Sequence, residues 1–261
     1  MDVKNMTRIL LKITYNGKEF DGWQYQHNGR TVQGQIERAL KSIHREFIRI
    51  HPASRTDKHV HAFEQYAHFD TTLDIEPEKW AFILNNKLPG DVRIIESKEI
   101  DSDYHVRYHS KGKVYRYKMY FGNPTPFKYG LETHVKDELN VERMREAAEY
   151  FIGTHDFTSF SSAKTVIENK VRHIYKLDII ETTNGIEVVI MGSGFLYNMV
   201  RIIVQYLLEV GKGNRNPEST KENISNKDRT QNPKVAPAGG LYLERIFLTE
   251  QQQRDYLKEN T

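Results

Sequence analysis

The sequence contains no cysteine. That absence excludes disulfides, thiolate metal sites and cysteine nucleophiles together, and leaves oxygen and nitrogen groups to carry any chemistry. No apolar run approaches the ~20 residues needed to cross a bilayer. The first seven residues, MDVKNMT, also lack the basic, apolar and small-residue progression of a secretory signal. A soluble chain with no membrane partner and a cytoplasmic address is therefore expected. A third absence is local: residues 104–131 hold no Asp or Glu. In that stretch Arg107, Lys111, Lys113, Arg116, Lys118 and Lys128 alternate with Tyr104, Tyr108, Tyr115, Tyr117, Tyr120 and Tyr129. The overall charge of +3 is too mild to announce a nucleic-acid partner. This interleaving is more specific, because cations neutralise phosphates while aromatic faces stack on unpaired bases. A solvated strand with tyrosines packed beneath it accounts for the same pattern.

A chain of 261 residues suits one large core or two modest ones. Ile9, Leu11, Ile13 and Tyr15 alternate as on a strand, and Asn16-Gly17 supplies a turn after it. Over residues 31–47, Val32, Ile36, Ala39, Leu40, Ile43 and Phe47 recur at helical spacing, with Thr31 placed to cap the first amides. Strands at 65–69 and 92–97 with a helix at 77–84 complete a first half. The second half repeats the grammar, with a strand at 113–121, a helix at 141–151 capped by Asn140, and strands at 171–180 and 185–191. Asn184-Gly185 suggests the hairpin turn between the last two. An apolar helix over 195–210 is expected to end on Gly211 as a left-handed cap, followed by a polar stretch to residue 240 and a strand at 241–248. No strong internal repeat accompanies this similarity of order. The expected class is α+β: two mixed α/β halves, 1–105 and 106–261, with their sheets joined around a central cleft.

Chemistry concentrates in residues 54–62, SRTDKHVHA, where Asp57 lies within a few positions of two cations and two imidazoles, after Pro52 and before a strand. A carboxylate in such a loop, if buried, is pushed toward its neutral form, so a nucleophilic role requires a guanidinium to keep it ionised. Arg55 and Arg201 are the candidates. Taken alone, an Arg-Thr-Asp triplet is more often a surface turn with a solvated ion pair. Arg201 is a sharper signal. It stands among Met199, Val200, Ile202 and Ile203 on an otherwise apolar helix, where an unpaired charge is costly and an acidic partner is expected.

Several blocks, in order and over nearly the whole chain, resemble the tRNA pseudouridine synthase A (TruA) family. They are YNGKEFDGWQ at 15–24, TVQGQIERAL at 31–40, RTD at 55–57 with VHA at 60–62, and LNNKLP at 84–89. The series continues with VYRYKMY at 114–120, DFTSF at 156–160, NMVR at 198–201 with LLEVG at 207–211, and APAGGLYL at 236–243. The resemblance implies a pseudouridine synthase fold with ferredoxin- or RRM-like halves, and isomerisation of uridine to pseudouridine at positions 38, 39 and 40 of the tRNA anticodon stem-loop. It also implies a homodimer, no cofactor and no metal. Asp57 is implied as the catalytic carboxylate, supported by Arg55, with Arg201 paired to it and Tyr115 stacked on the target uracil; Leu243, Arg116 and Lys118 complete the substrate-contacting set. Alternation on a strand is compatible with this, since Tyr115 and Tyr117 share one face while Arg116 and Lys118 share the other.

One departure stands out. The family usually places small residues, Ala-Gly, after the catalytic Asp, and this chain has Lys58-His59. Either the loop differs in shape or His59 accepts a backbone conformation that glycine adopts freely; Lys58 could serve as a phosphate contact. Two other classes bear weighing. His59, His61 and His68 invite a metal-hydrolase reading, which lacks a clear acidic ligand set. The basic, tyrosine-rich strand invites a non-catalytic RNA-binding module.

Overall fold

The computed structural model describes residues 6–260, so residues 1–5 of the segment read for a leader lie outside the described residues. The chain packs as two units, Met1–Lys111 with Leu243–Thr261, and Gly112–Tyr242. The expected halves of 1–105 and 106–261 differ from this in two respects: the boundary falls at 111/112, and the chain's end returns to the first unit.

In the first unit, β1 (Thr7–Tyr15) forms where the alternation is, and Ile9, Leu11, Ile13 and Tyr15 are all buried. It is followed by α1 (Val32–His44), β2 (His51–Pro52), β3 (His61–Thr71), α2 (Lys79–Asn85), β4 (Val92–Ile100) and α3 (Val106–His109). The sheet runs β4-β1-β3 and continues with the returning strand β10 (Leu241–Phe247), while β2 is a short addition to β3. Both β4 and β3 are antiparallel to β1. The β1–β3 register slips by one residue between the pairs Ile13↔Gln65 and Tyr15↔Ala62. That irregularity lies at the end of β3 that receives the 54–60 loop, a position where bulges re-aim side chains.

Thr31 caps α1 through its side chain, which accepts from the Gly34 amide. The helix stops three residues short of the expected Phe47, because Arg45 turns left-handed at φ 62° and closes onto the Lys41 carbonyl. Phe47 is consequently exposed, with the Arg49 guanidinium over its ring, instead of filling the core. Trp80 of α2 fills that role, edge-on to Phe69 and stacked on His44. A last helix, α7 (Glu250–Glu259), closes the unit behind a Thr249 capping box, with Tyr256 against Phe247.

In the second unit the order is β5 (Gly112–Tyr120), β6 (Thr133–His134), α4 (Val141–Glu149), β7 (Gly153–Asp156), β8 (Val171–Thr182), β9 (Gly185–Gly192), α5 (Met199–Gly211) and α6 (Ser219–Ser225). Its sheet is β5-β9-β8-β7, with β6 parallel to β5. The hairpin turn falls one residue earlier than expected. Thr182 pairs with Gly185, so Thr183-Asn184 make the bend. Gly185 already lies in the sheet, where a Cβ would come within 2.0 Å of the Met119 carbonyl oxygen.

Two expectations about α5 also change. It begins at Met199 rather than 195, because Phe195 is used edge-on against Tyr115, and Asn198 takes a left-handed φ of 61° before the first turn. Gly211 is not its left-handed cap. It stays helical so that α4 can approach, since a Cβ there would meet Met144 Sδ at 2.7 Å, and the positive φ of 80° falls on Gly213. The polar stretch to residue 240 is ordered in part by α6 and by a buried amide cluster in which Asn232 Nδ2 donates to the Ser159 carbonyl and to Asn223 Oδ1. The mixed architecture of both units is α+β.

Candidate active site

In the first unit, residues 53–60 leave β2 and enter β3 as a braced loop. Its stem is held by Gln65, which is fully buried: its amide nitrogen donates to the Ser54 carbonyl at 2.7 Å, and its amide oxygen accepts from the Ser54 N–H at 3.2 Å. Next, Thr56 is held twice. Its hydroxyl is 2.8 Å from the Tyr15 hydroxyl in a buried bond, and its carbonyl accepts from the Trp23 N–H at 3.0 Å. Asp57 follows immediately and opens a tight turn in which the Val60 amide donates to the Asp57 carbonyl at 3.1 Å. Asp57 is half-buried, whereas Arg55 is exposed.

The Lys58-His59 departure resolves at this turn. His59 occupies its second central position with φ 66°, the left-handed conformation that favours glycine there. Two bonds compensate the strain: its amide donates to the Phe20 carbonyl at 3.0 Å, and its Nδ1 lies 2.6 Å from the Lys18 carbonyl, which makes that nitrogen the donor. Of the two readings, His59 therefore accepts the glycine conformation. Lys58 is paired with Asp21 at 2.6 Å, and that ammonium holds the Asp21 carboxyl below its ordinary range. The remaining side of the turn is filled by Gly22, which has φ 94° and lies so close that a Cβ would meet the Thr56 oxygen at 2.8 Å and the Asp57 carbonyl carbon at 3.1 Å.

The three histidines of the metal reading are engaged separately. His59 binds the Lys18 carbonyl, and His61 accepts from the Gly17 amide through Nδ1 at 3.0 Å, which leaves its proton on Nε2. His68 lies instead between His51 and His105, at ring separations of 5.2 and 4.8 Å. Among the described residues no group of three or more His, Asp or Glu is placed to hold a metal ion.

In the second unit, β5 presents Tyr115 and Tyr117 on one face, both buried, opposite Ile190 and Val188 of β9. The Tyr115 ring meets Phe195 edge-on at 5.2 Å. The Tyr117 hydroxyl donates to the Pro237 carbonyl at 2.7 Å and bonds Thr133, and burial pushes its phenol upward in pKa. Arg201 sits half-buried on the first turn of α5. Its Nε donates to the Ala236 carbonyl at 2.7 Å and its Nη1 to Asn198 Oδ1 at 3.1 Å, which aims the guanidinium by two neutral acceptors. The APAGG segment is thus tied to α5 through Ala236 and to β5 through Pro237. On the other face of β5, Arg116 is ion-paired with Glu187, and the Lys118 ammonium lies over the Tyr242 ring at 4.9 Å. Leu243 is fully buried in β10.

The second unit therefore holds Tyr117 and Arg201 against the 236–240 segment, with Tyr115 on the same face of β5 against Phe195, while Asp57 and Arg55 belong to the braced loop of the first. Reasoning from sequence missed the braces themselves: Tyr15, Asp21, Gly22 and Gln65. Tyr15, Asp21 and Gly22 all lie in the block at 15–24, so the signal was present without a partner assigned to it.

Comparison with known proteins places this α+β chain in a class of RNA-modifying enzyme. The family model described as tRNA pseudouridine synthase matches residues 12–109 and 147–247. The tRNA pseudouridine synthase A of Staphylococcus carnosus is 53% identical over 246 residues, covering 94% of this chain and 92% of that protein. The proteins of the same name from Staphylococcus saprophyticus and Staphylococcus aureus strain MRSA252 are each 48% identical, over 93% and 94% of this chain and 91% and 93% of theirs. This chain belongs to the tRNA pseudouridine synthase family, in its A (TruA) branch.

Proposed function

We propose that this protein isomerises uridine to pseudouridine in tRNA, at positions 38, 39 and 40 of the anticodon stem-loop, with Asp57 as the catalytic carboxylate. The observation that carries the assignment is the fixed Arg55-Thr56-Asp57 segment, inside a chain similar to tRNA pseudouridine synthases A over more than nine-tenths of its length. The reaction breaks the bond from ribose C1′ to uracil N1, turns the detached base and joins C1′ to C5. It exchanges no electrons and gains no external group, so no cofactor enters. An ionised carboxylate can attack the sugar or assist removal of the 2′ proton, and Asp57 serves either route.

Roles for the other residues follow from their surroundings. A target uridine in a stem must leave its stack, and an aromatic platform offsets the stacking lost; that is the role assigned to Tyr115, whose ring is already held by Phe195. Arg201 is assigned as the cation that keeps the carboxylate ionised, with its guanidinium pre-aimed by Ala236 and Asn198. Arg55 supports the same charge from its exposed position. Lys118 and Arg116 are assigned to the RNA backbone, Arg116 at the expense of its pairing with Glu187, and Leu243 to the wall of the base pocket. A homodimer in the cytoplasm completes the reading. No helix among the described residues is long and apolar enough to cross a membrane.

The test is to map pseudouridine in unmodified tRNA transcripts treated with the wild-type protein and with Asp57→Ala. New pseudouridines confined to 38–40 in the wild-type reaction, and none with the variant, are expected. Pseudouridine elsewhere would overturn the position, and binding without any modification would mark an RNA-binding module instead.

A further inference from the structure

The Tyr15 hydroxyl lies 41 residues from Thr56 in sequence, yet bonds it at 2.8 Å in a buried setting. Tyr15 is the last residue of β1, 4% exposed, with its ring 6.0 Å from that of Trp23. Thr56 is 7% exposed and is the residue directly before Asp57. The loop's stem is independently held by Gln65 and its far side by the His59 and Lys58 contacts, so this bond acts on the residue that joins stem to turn. The phenol has no need of Thr56 for its ring packing, and a phenylalanine would fill the same space. A buried hydroxyl pair retained at that position fixes direction rather than volume.

We propose that Tyr15 is a positioning residue for the isomerisation, acting through the Thr56 side chain to fix the backbone that carries Asp57. The proposal rests on the assignment of Asp57 as the catalytic carboxylate. With the bond made, the Thr56 carbonyl stays on the Trp23 amide and the Asp57 Cα–Cβ bond leaves the loop in one direction. Without it, the Thr56 side chain can rotate, the Trp23 amide alone holds the Thr56 backbone, and the carboxylate samples positions away from the reacting sugar. Displacements of about 1 Å can cost on the order of 100-fold in rate. Substrate binding, which depends on surfaces elsewhere, is unaffected.

The experiment compares Tyr15→Phe, Thr56→Val, Thr56→Ser and the Tyr15→Phe/Thr56→Val double variant, with kcat and KM for tRNA and the urea unfolding midpoint measured for each. The two single variants that lose a hydroxyl are expected to lower kcat by about 10- to 100-fold with KM within twofold of wild type. Thr56→Ser is expected to keep most of the rate, and the double variant to be no slower than the worse single. A double-variant loss equal to the product of the single losses, or activity that tracks the unfolding midpoint alone, would overturn the coupling and leave a structural role. Wild-type kcat in Tyr15→Phe would sink it outright. Asp57→Asn, run beside them, separates the two claims: if it retains turnover, the catalytic assignment fails and the positioning role with it; if it is inactive, a fully active Tyr15→Phe refutes the positioning role alone.

Discussion

Replacing Gly22 with alanine should damage both stability and catalysis, and its magnitude can be worked from two terms. The first is conformational. Gly22 has φ 94°, and forcing an L-residue into a left-handed conformation costs about 1–2 kcal/mol. The second is steric. The new Cβ would lie 2.8 Å from the Thr56 oxygen and 3.1 Å from both the Asp57 carbonyl carbon and the Lys58 nitrogen. All three are backbone atoms of a loop held at both ends, so relief requires the loop to move, at the about 1–3 kcal/mol typical of overpacked interiors. Together the substitution should cost about 2–5 kcal/mol. The same displacement falls on the residues that carry the carboxylate, so kcat should drop by about 10-fold or more while tRNA affinity is kept. Urea unfolding read as a shift in midpoint at constant slope, together with steady-state kinetics, measures both. Gly90→Ala is the control, because nothing lies within 4 Å of its added Cβ and its φ is ordinary. Wild-type stability and turnover in Gly22→Ala would refute the account of the braced turn.

Two further outcomes are expected. Tyr115→Phe keeps the ring and its contact with Phe195 and should bind tRNA nearly as wild type, whereas Tyr115→Ala should weaken binding by roughly 5- to 160-fold, the worth of one base–aromatic stack of ~1–3 kcal/mol; equal losses in a filter-binding assay would remove the stacking role. His68 is held neutral in the fold, its pKa lowered to about 3 by burial first and then by the charges of Arg8, His105 and His51, with Asp70 opposing. Since the unfolded imidazole titrates near 6.5, its contribution is intact above that pH and is lost as pH falls toward the folded value, at up to about 1.4 kcal/mol per unit. Urea midpoints should therefore fall from pH 6.5 to 4.5 in the wild type and less steeply in His68→Leu; parallel profiles would contradict the assignment.

The strands were legible because alternation reports burial directly: Ile9, Leu11, Ile13 and Tyr15 all point inward as the pattern requires. Helix ends were less so, for physical reasons that differ at each. Arg45 adopts a left-handed cap that no composition rule assigns to arginine, and Gly211 serves the approach of Met144 rather than the helix terminus. Phe195 reads as helical by periodicity but is consumed by Tyr115, a contact between residues far apart in sequence. The same limit applies to the site. The residue types in the 54–62 loop were visible, and the glycine-like conformation of His59 was foreseeable from what usually stands there. Tyr15 and Gln65 were not, because each acts on a partner identified only once β1 and β3 are paired.

The central claim is that Asp57 performs the chemistry, and release of tritium from tRNA carrying 5-tritiated uridine measures that most directly, because joining C1′ to C5 expels the label. Wild-type protein should release it, while Asp57→Ala should release none above background at unchanged tRNA affinity. Undiminished release by Asp57→Ala would contradict the account.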